Sequence, residues 1–208
     1  MVTTRRGRPT QAEAEALNLR VRQAAVDAFL ESGYAGTSMD AIARAAGITR
    51  KTLYARYPDK HALFVDVIPW ALTRVGDDDS FEFSRTDDAE ADLVAFGRQA
   101  IKRVTNPQNL QLKHIAMLES AQFPEFSVAA DSMMWAARQR AATDLLRHHE
   151  ANGNIAVDDV ELAAEHFLAL IESMPGRLAE FGIFRSKRQE ERHLREAVRL
   201  FLRGTEPR

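Results

Sequence analysis

The sequence predicts an all-α protein of about nine helices. Apolar residues recur at intervals of three and four along most of the chain, and capping residues, glycine or proline separate the periodic segments. Neither a strand pattern nor an internal repeat is present. With 208 residues, 45% of them hydrophobic, the chain can form one domain or two small ones around a buried core.

The first helix is predicted from a capping box and a long apolar stripe. Thr10 and Glu13 have the spacing of a capping box, which satisfies the free N–H groups of a helix start. Apolar residues follow at helical spacing from Leu17 to Phe29, and Gly33 is expected to end the helix. We expect this helix to support the two that follow it.

Residues 37–60 predict two short helices joined by a sharp turn. Thr37 or Ser38 can cap the first of them, and Asp40 is placed to complete a capping box. Gly47 permits a left-handed turn, and Thr49 can cap the second helix. The small apolar face that lets the helices approach closely consists of Ile42, Ala43 and Ala46. The spacing alone fits a helix-turn-helix and an ordinary helical hairpin with a solvated basic face equally well.

The residue types in this stretch resemble the DNA-binding signature of the TetR family of transcriptional regulators. The positions that carry the resemblance are Thr37, Ile42–Thr49, Leu53, Tyr54 and Lys60. Arg56 and Tyr57 depart from the pattern, since the family usually has Tyr or His followed by Phe there. The resemblance implies an N-terminal three-helix helix-turn-helix DNA-binding domain and a C-terminal helical bundle for ligand binding and dimerisation.

The expected DNA contacts fall into two groups. Base edges in the major groove would be contacted by Thr49, Arg50, Lys51, Thr52 and Tyr54. Phosphates, which fix register without reading sequence, would be contacted by Thr37, Ser38, Arg56, Tyr57 and Lys60. For Lys60 the plain alternative is an exposed lysine without a DNA contact.

A basic segment precedes the first helix. Arg6-Gly7-Arg8-Pro9 reproduces the core of an AT-hook, so Arg5, Arg6 and Arg8 are predicted to enter a minor groove. On its pattern alone the segment could equally be a solvated tail. Residues 1–60 carry a net charge of +4 and residues 61–208 a net charge of −6, which favours phosphate binding by the first part of the chain only.

The remaining helices are predicted from caps and breaks. A fourth helix runs from Pro58 to about Val75, with a kink at Pro69 because proline removes a helical hydrogen bond. An acidic linker covers residues 76–88. Five more helices follow, separated at these positions: Asn106-Pro107, Phe123-Pro124, Gly153, and Pro175-Gly176 with the cap at Ser186. The break Phe123-Pro124-Glu125-Phe126 also resembles a Phe-Pro-Glu-Leu break of TetR-family effector domains.

The predicted domains are a flexible arm over 1–9, a DNA-binding domain over 10–57, a connecting helix over 58–76 and an effector-binding and dimerisation domain over 77–208. Several aromatic, methionine and histidine side chains are candidates to line an effector pocket. They are Trp70, Phe96, His114, Met117, Phe123, Met134, Trp135, Phe167 and Met174. Each of them could instead be plain core.

The last two helices are predicted to form a homodimer, as the resemblance implies. The candidate interface residues are Leu168, Ile171, Leu194, Val198 and Phe201, unless some of them face their own core. A two-fold dimer would present two recognition helices to a near-palindromic operator. The expected function is a repressor that a small apolar effector releases from DNA. The alternatives are a regulator of the same fold without a small-molecule effector, and a helical ligand carrier or enzyme.

Several classes of protein are not expected. The chain contains no cysteine, and it carries neither a secretory signal nor an apolar run long enough to span a membrane, so a cytoplasmic protein is predicted. No metal site or cofactor is expected, because Glu190-Glu191-Arg192-His193 is a single copy of a spacing that di-iron bundles need twice. Catalytic motifs are not recognisable, and we predict that the protein is not an enzyme.

Overall fold

The computed structural model describes residues 10–73 and 85–205, without the side chains of residues 73 and 125–135. Within these ranges the fold is all-helical, as the sequence predicts, and no strand is present. The predicted minor-groove residues Arg5, Arg6 and Arg8 lie outside the described residues, as does most of the acidic linker. None of the described helices is long and apolar enough to cross a membrane.

The helices in chain order are α1 Gln11–Gly36, α2 Met39–Ala45, α3 Arg50–Tyr54, α4 Lys60–Thr73, α5 Ala89–Val104, α6 Pro107–Glu119, α7 Glu125–Ala151, α8 Val160–Glu180 and α9 Lys187–Gly204. The chain divides into two compact units, Met1–Ile68 and Pro69–Arg208. The first unit contains α1–α3 and most of α4, and the second contains the end of α4 and α5–α9.

Local sequence accounts for most helix starts. A capping box forms at Thr10 with Glu13, as predicted, and another forms at the predicted cap Ser186 with Gln189. Five further helices begin at a side chain that accepts a backbone N–H of the first turn, namely Ser38, Thr49, Asp88, Asn106 and Asp159. Gly33, at φ 68°, interrupts α1 where the sequence predicts its end.

The start of α2 differs from the predicted capping box. Ser38 is the cap, and its hydroxyl oxygen accepts from Ala41 N at 3.2 Å. Thr37 is buried, and its hydroxyl lies within hydrogen-bond distance of the carbonyl oxygens of Ala28 and Gly33 at 2.9 and 2.7 Å. Thr37 therefore ties the beginning of α2 to the interrupted end of α1, which sequence spacing cannot show.

α8 continues through Pro175, where the sequence predicts a stop. Proline has no N–H to donate to the carbonyl of Ile171, four residues earlier. His193 Nε2 on α9 lies 3.2 Å from that carbonyl oxygen, so the histidine supplies the donor that α8 lacks. The helix then extends to Glu180 because its neighbour satisfies the group that proline leaves free.

The core of the second unit is built mainly from α5, α7, α8 and α9. Phe96, Phe167 and Phe201 are in ring contact within it, and α5 approaches α9 so closely that a Cβ at Gly97 would collide with Leu194. This core contains every residue predicted at a dimer interface, namely Leu168, Ile171, Leu194, Val198 and Phe201.

The prediction of those interface residues is therefore corrected. Each of the five side chains is at most 7% exposed within its own subunit, so it has almost no surface to offer to a second copy. The error has a physical cause: the most apolar stripe of an amphipathic helix covers the nearest core first.

A buried pair fixes the start of α5 against the end of α7. His149 Nε2 lies 3.2 Å from Asp92 Oδ2, and the same carboxylate accepts hydrogen bonds from the backbone and hydroxyl of Thr86. Neither side chain of the pair is more than 4% exposed. Burial lowers the pKa of His149 and so favours the neutral imidazole, although the attraction of Asp92 acts in the opposite direction.

Candidate nucleic-acid interface and ligand-binding domain

The turn between α2 and α3 sets the geometry of a helix-turn-helix. Gly47 is left-handed at φ 68°, and Gly47 N donates to Arg44 O at 3.1 Å. Ile48 N donates to Ala43 O at 2.9 Å, which completes a Schellman motif at the end of α2. Thr49 then caps α3 through Thr52 N. The predicted roles of Gly47 and Thr49 in the turn are confirmed.

α3 has one buried side and one exposed side. Leu53 is fully buried, whereas Arg50, Lys51 and Tyr54 are exposed and Thr52 is half-buried. The hydroxyl groups of Thr49 and Thr52 are 2.8 Å apart and share a hydrogen bond. The exposed side thus offers two cations, hydroxyl groups and a phenol ring, which are the groups that contact base edges and thymine methyls.

Arg50 is held on this side by two neighbours. Its Nη1 donates to Asp40 Oδ2 at 3.1 Å, its Nε lies 3.0 Å from Asp40 Oδ1, and its guanidinium carbon is 5.3 Å from the centre of the Tyr54 ring. Both members of the ion pair are more than half exposed, so the pair contributes little to stability. It orients the guanidinium from α2.

Lys60, predicted to contact phosphate, lies at the end of α1. Its Nζ donates to the carbonyl oxygens of Tyr34 at 2.6 Å and Thr37 at 2.9 Å, and it is 4.5 Å from the centre of the Tyr34 ring. A cation at the carbonyl end of a helix is favourable because it meets free acceptors and the negative end of the dipole. Ser38 and Arg56, also predicted to contact phosphate, are exposed.

Tyr57 belongs to a network that joins α4 to α1. Its hydroxyl donates to Asp66 Oδ2 at 2.6 Å, and Arg22 donates to both carboxylate oxygens of Asp66 at 3.1 and 2.9 Å. Burial and the hydrogen bond to Asp66 raise the pKa of Tyr57. The network was missed from the sequence, although Asp66 as a lone charge in the apolar run of α4 was a usable signal.

The structure separates the residues predicted to line an effector pocket. Phe96 and Phe167 are fully buried in the core of the second unit, and Trp70 and Phe123 are half-buried. The side chains of Met134 and Trp135 lie outside the described residues. The surface positions are His114, Met117 at 68% exposed and Met174 at 48% exposed.

Those three surface positions are corrections, and the helical period explains them. On α6 the buried side consists of Leu112, Ile115 and Ala116. On α8 the buried side includes Phe167, Ile171 and Pro175. His114, Met117 and Met174 lie on the opposite sides of these helices, so they are exposed in the subunit.

Sequence reasoning also missed a buried charged cluster in the second unit. Arg138 Nε on α7 lies 3.1 Å from Glu172 Oε1 on α8, and both side chains are about nine-tenths buried. Arg103 on α5 is buried as well and acts electrostatically on Glu172. Asn109 on α6 donates to the Arg103 carbonyl at 3.3 Å, so four helices contribute to the cluster.

The cluster controls the protonation of Glu172. Burial raises the pKa of Glu172 to about 7, against the opposing attraction first of Arg138 and then of Arg103. Glu172 shares the helical spacing of Leu168, Ile171 and Pro175, all of which are buried. That spacing was the sequence signal for a buried carboxylate.

Each of the two units matches a model of a known protein family. Residues 21–67 match the family model for bacterial regulatory proteins of the tetR family, and residues 91–204 match that for the C-terminal domain of AefR-like transcriptional repressors. The HTH-type transcriptional regulator AcrR of Shigella flexneri is 31% identical over 70 residues, which cover 34% of this chain and 33% of AcrR.

Solved structures resemble the whole chain. A TetR-family transcriptional regulator from Mesorhizobium loti aligns with a TM-score of 0.77 at 24% identity, over 96% of this chain and 100% of its own. The flavonoid-responsive regulator FrrA aligns with a TM-score of 0.73 at 28% identity, over 94% of this chain and 99% of its own. The helix-turn-helix, the helical second unit and these matches lead to one conclusion: the chain belongs to the TetR family of DNA-binding transcriptional regulators.

Proposed function

We propose that the protein is a homodimeric repressor that binds a palindromic operator and leaves it when a small effector binds the second unit. The observation that carries the DNA-binding part is the exposed side of α3. Arg50, Lys51 and Tyr54 project away from the buried Leu53, so the helix can enter a major groove without unfolding.

The proposed dimer is supported by exposed apolar residues of α8 and α9 that differ from the interface residues predicted from the sequence. Leu162, Leu170 and Met174 share one stripe of α8 and are 37–48% exposed, and Leu200 on α9 is 61% exposed. Exposed apolar side chains on two helices that pack together favour burial against a partner. A two-fold pairing of this surface would supply two copies of α3 for two operator half-sites.

The proposed effector is a small aromatic compound of the flavonoid type. FrrA, which is described as flavonoid-responsive, aligns with nearly the whole of this chain. A flavonoid is flat and largely apolar, which suits a helical domain whose core contains aromatic rings in contact. Such a ligand can weaken DNA binding only if it binds the DNA-free conformation more tightly than the DNA-bound one.

Selection of bound genomic fragments by the purified full-length protein, at near-physiological salt, tests the proposal. We expect a shared palindromic site, lost when Arg50 and Lys51 are both replaced by alanine and kept when the exposed Arg140 is replaced. Adding a flavonoid should release the fragments. Recovery without a shared site, or equal loss with Arg140→Ala, would contradict sequence-specific binding through α3.

A further inference from the structure

Glu172 carries an acceptor oxygen that the described residues leave without a hydrogen bond. The residue is 7% exposed, and Oε1 is 3.1 Å from Arg138 Nε, but the angle between the two groups is not that of a hydrogen bond. A buried acceptor without a hydrogen bond destabilises a fold. A ligand that donates a hydrogen bond to Oε1 would remove this penalty.

The surrounding charges restrict which donor fits. The guanidinium groups of Arg138 and Arg103 both act on Glu172, so a cationic ligand would be repelled by two like charges. An anionic oxygen has no proton to donate to Oε1. A neutral hydroxyl group donates a hydrogen bond without adding a charge to the cluster.

The position of Glu172 also connects it to α9. The residue lies within the turn from Ile171 to Pro175, where the proline removes the helical hydrogen bond. His193 Nε2 on α9 lies within hydrogen-bond distance of the Ile171 carbonyl oxygen, which the proline leaves without a helical donor. A ligand bound to Glu172 would therefore act on a part of α8 whose geometry depends on α9.

We propose that Glu172 is the polar anchor of the effector site and that it accepts a hydrogen bond from a neutral hydroxyl group of the ligand. This inference rests on the proposed function, because it assumes an effector in the second unit. It adds the chemical group that the effector must carry, which an apolar pocket alone does not specify.

Calorimetric titration of the full-length protein with flavone and with 3′-hydroxyflavone tests the inference, since the two compounds differ by one neutral hydroxyl group. We expect the natural protein to bind the hydroxylated compound about tenfold to a hundredfold more tightly. Replacing Glu172 and Arg138 together by methionine removes both members of the closest ion pair, so neither of them is left in the core without the other. The preference should then fall below about threefold.

Two more variants complete the test. Glu172→Gln keeps the shape and a weaker acceptor, so it should reduce the preference partly, while Glu165→Gln, at an exposed site on the same helix, should keep all of it. Equal preference in the natural protein and the double variant would overturn the inference. Absence of binding by either compound, with operator binding intact, would overturn the anchor and the flavonoid class and leave the regulator standing. If the natural protein does not bind an operator at all, the proposed function itself is contradicted.

Discussion

His193 Nε2 lies 3.2 Å from the carbonyl oxygen of Ile171, the acceptor that Pro175 leaves without a helical donor. One side chain of α9 thus replaces one backbone bond of α8. The two helices are joined by this contact where an isolated α8 would be weakest.

This contact predicts a coupling between two positions. His193→Ala should lower the free energy of unfolding by about 1 kcal/mol, because Ile171 O loses its donor. In a Pro175→Ala background the restored N–H can donate to the same carbonyl, so the loss should shrink to under about 0.5 kcal/mol. Urea unfolding of the four proteins measures the coupling, and equal losses in both backgrounds would contradict it.

Lys60 is predicted to stabilise the first unit as well as any DNA complex. Lys60→Met should lower the free energy of unfolding by about 1–2 kcal/mol, because the carbonyls of Tyr34 and Thr37 lose a charged donor. Lys51→Met removes the same charge from an exposed site and should leave stability nearly unchanged. Thermal melting without DNA compares the two, and identical melting curves would show that Lys60 is not structural.

The exposed stripe on α8 predicts which substitutions separate the subunits. Replacing Leu170 and Met174 by aspartate should convert the proposed dimer to monomers, because charges would replace apolar surface at the proposed interface. Met117 and Leu118 on α6 are also exposed, at 68% and 64%, so their replacement by aspartate is the matched control. Sedimentation velocity reads the result. Dissociation by the α6 pair and not by the α8 pair would place the interface elsewhere.

Glu172 predicts a pH dependence of stability with a definite sign. Its pKa is about 7 in the folded protein, against an ordinary value of 4.5 for a glutamate, so between these values the folded state holds a proton that the unfolded state has lost. This group's contribution to the free energy of unfolding should therefore fall as pH rises from 4.5 to 7, by up to about 3 kcal/mol.

Urea unfolding of the natural protein and of Glu172→Gln, at pH 5 and pH 8, isolates this contribution. The natural protein should lose more stability than the variant on going to pH 8. His149 has a lowered pKa and acts in the opposite sense, because it destabilises the fold as pH falls below about 6.5, but it is present in both proteins and cancels in the difference. Parallel pH profiles would show that Glu172 ionises alike in both states.

The sequence by itself determined the helices, most of their ends and the helix-turn-helix. Thr10, Thr49 and Ser186 cap their helices through atoms three residues away, and Gly47 forms its turn by local backbone geometry, so neighbouring residues sufficed to predict them. The same local rules wrongly predicted a helix end at Pro175, since the missing donor comes from another helix.

The tertiary structure alone decided what each side chain faces. A helical period groups residues on one side of a helix, but it does not say whether a core, a second subunit or solvent covers that side. Leu168 and Val198, predicted at an interface, therefore lie in the subunit core, and Met174, predicted in a pocket, lies on the surface. The Glu172–Arg138 pair arose because residues 34 positions apart meet inside the helical unit, where removal from water gives charges their largest effect.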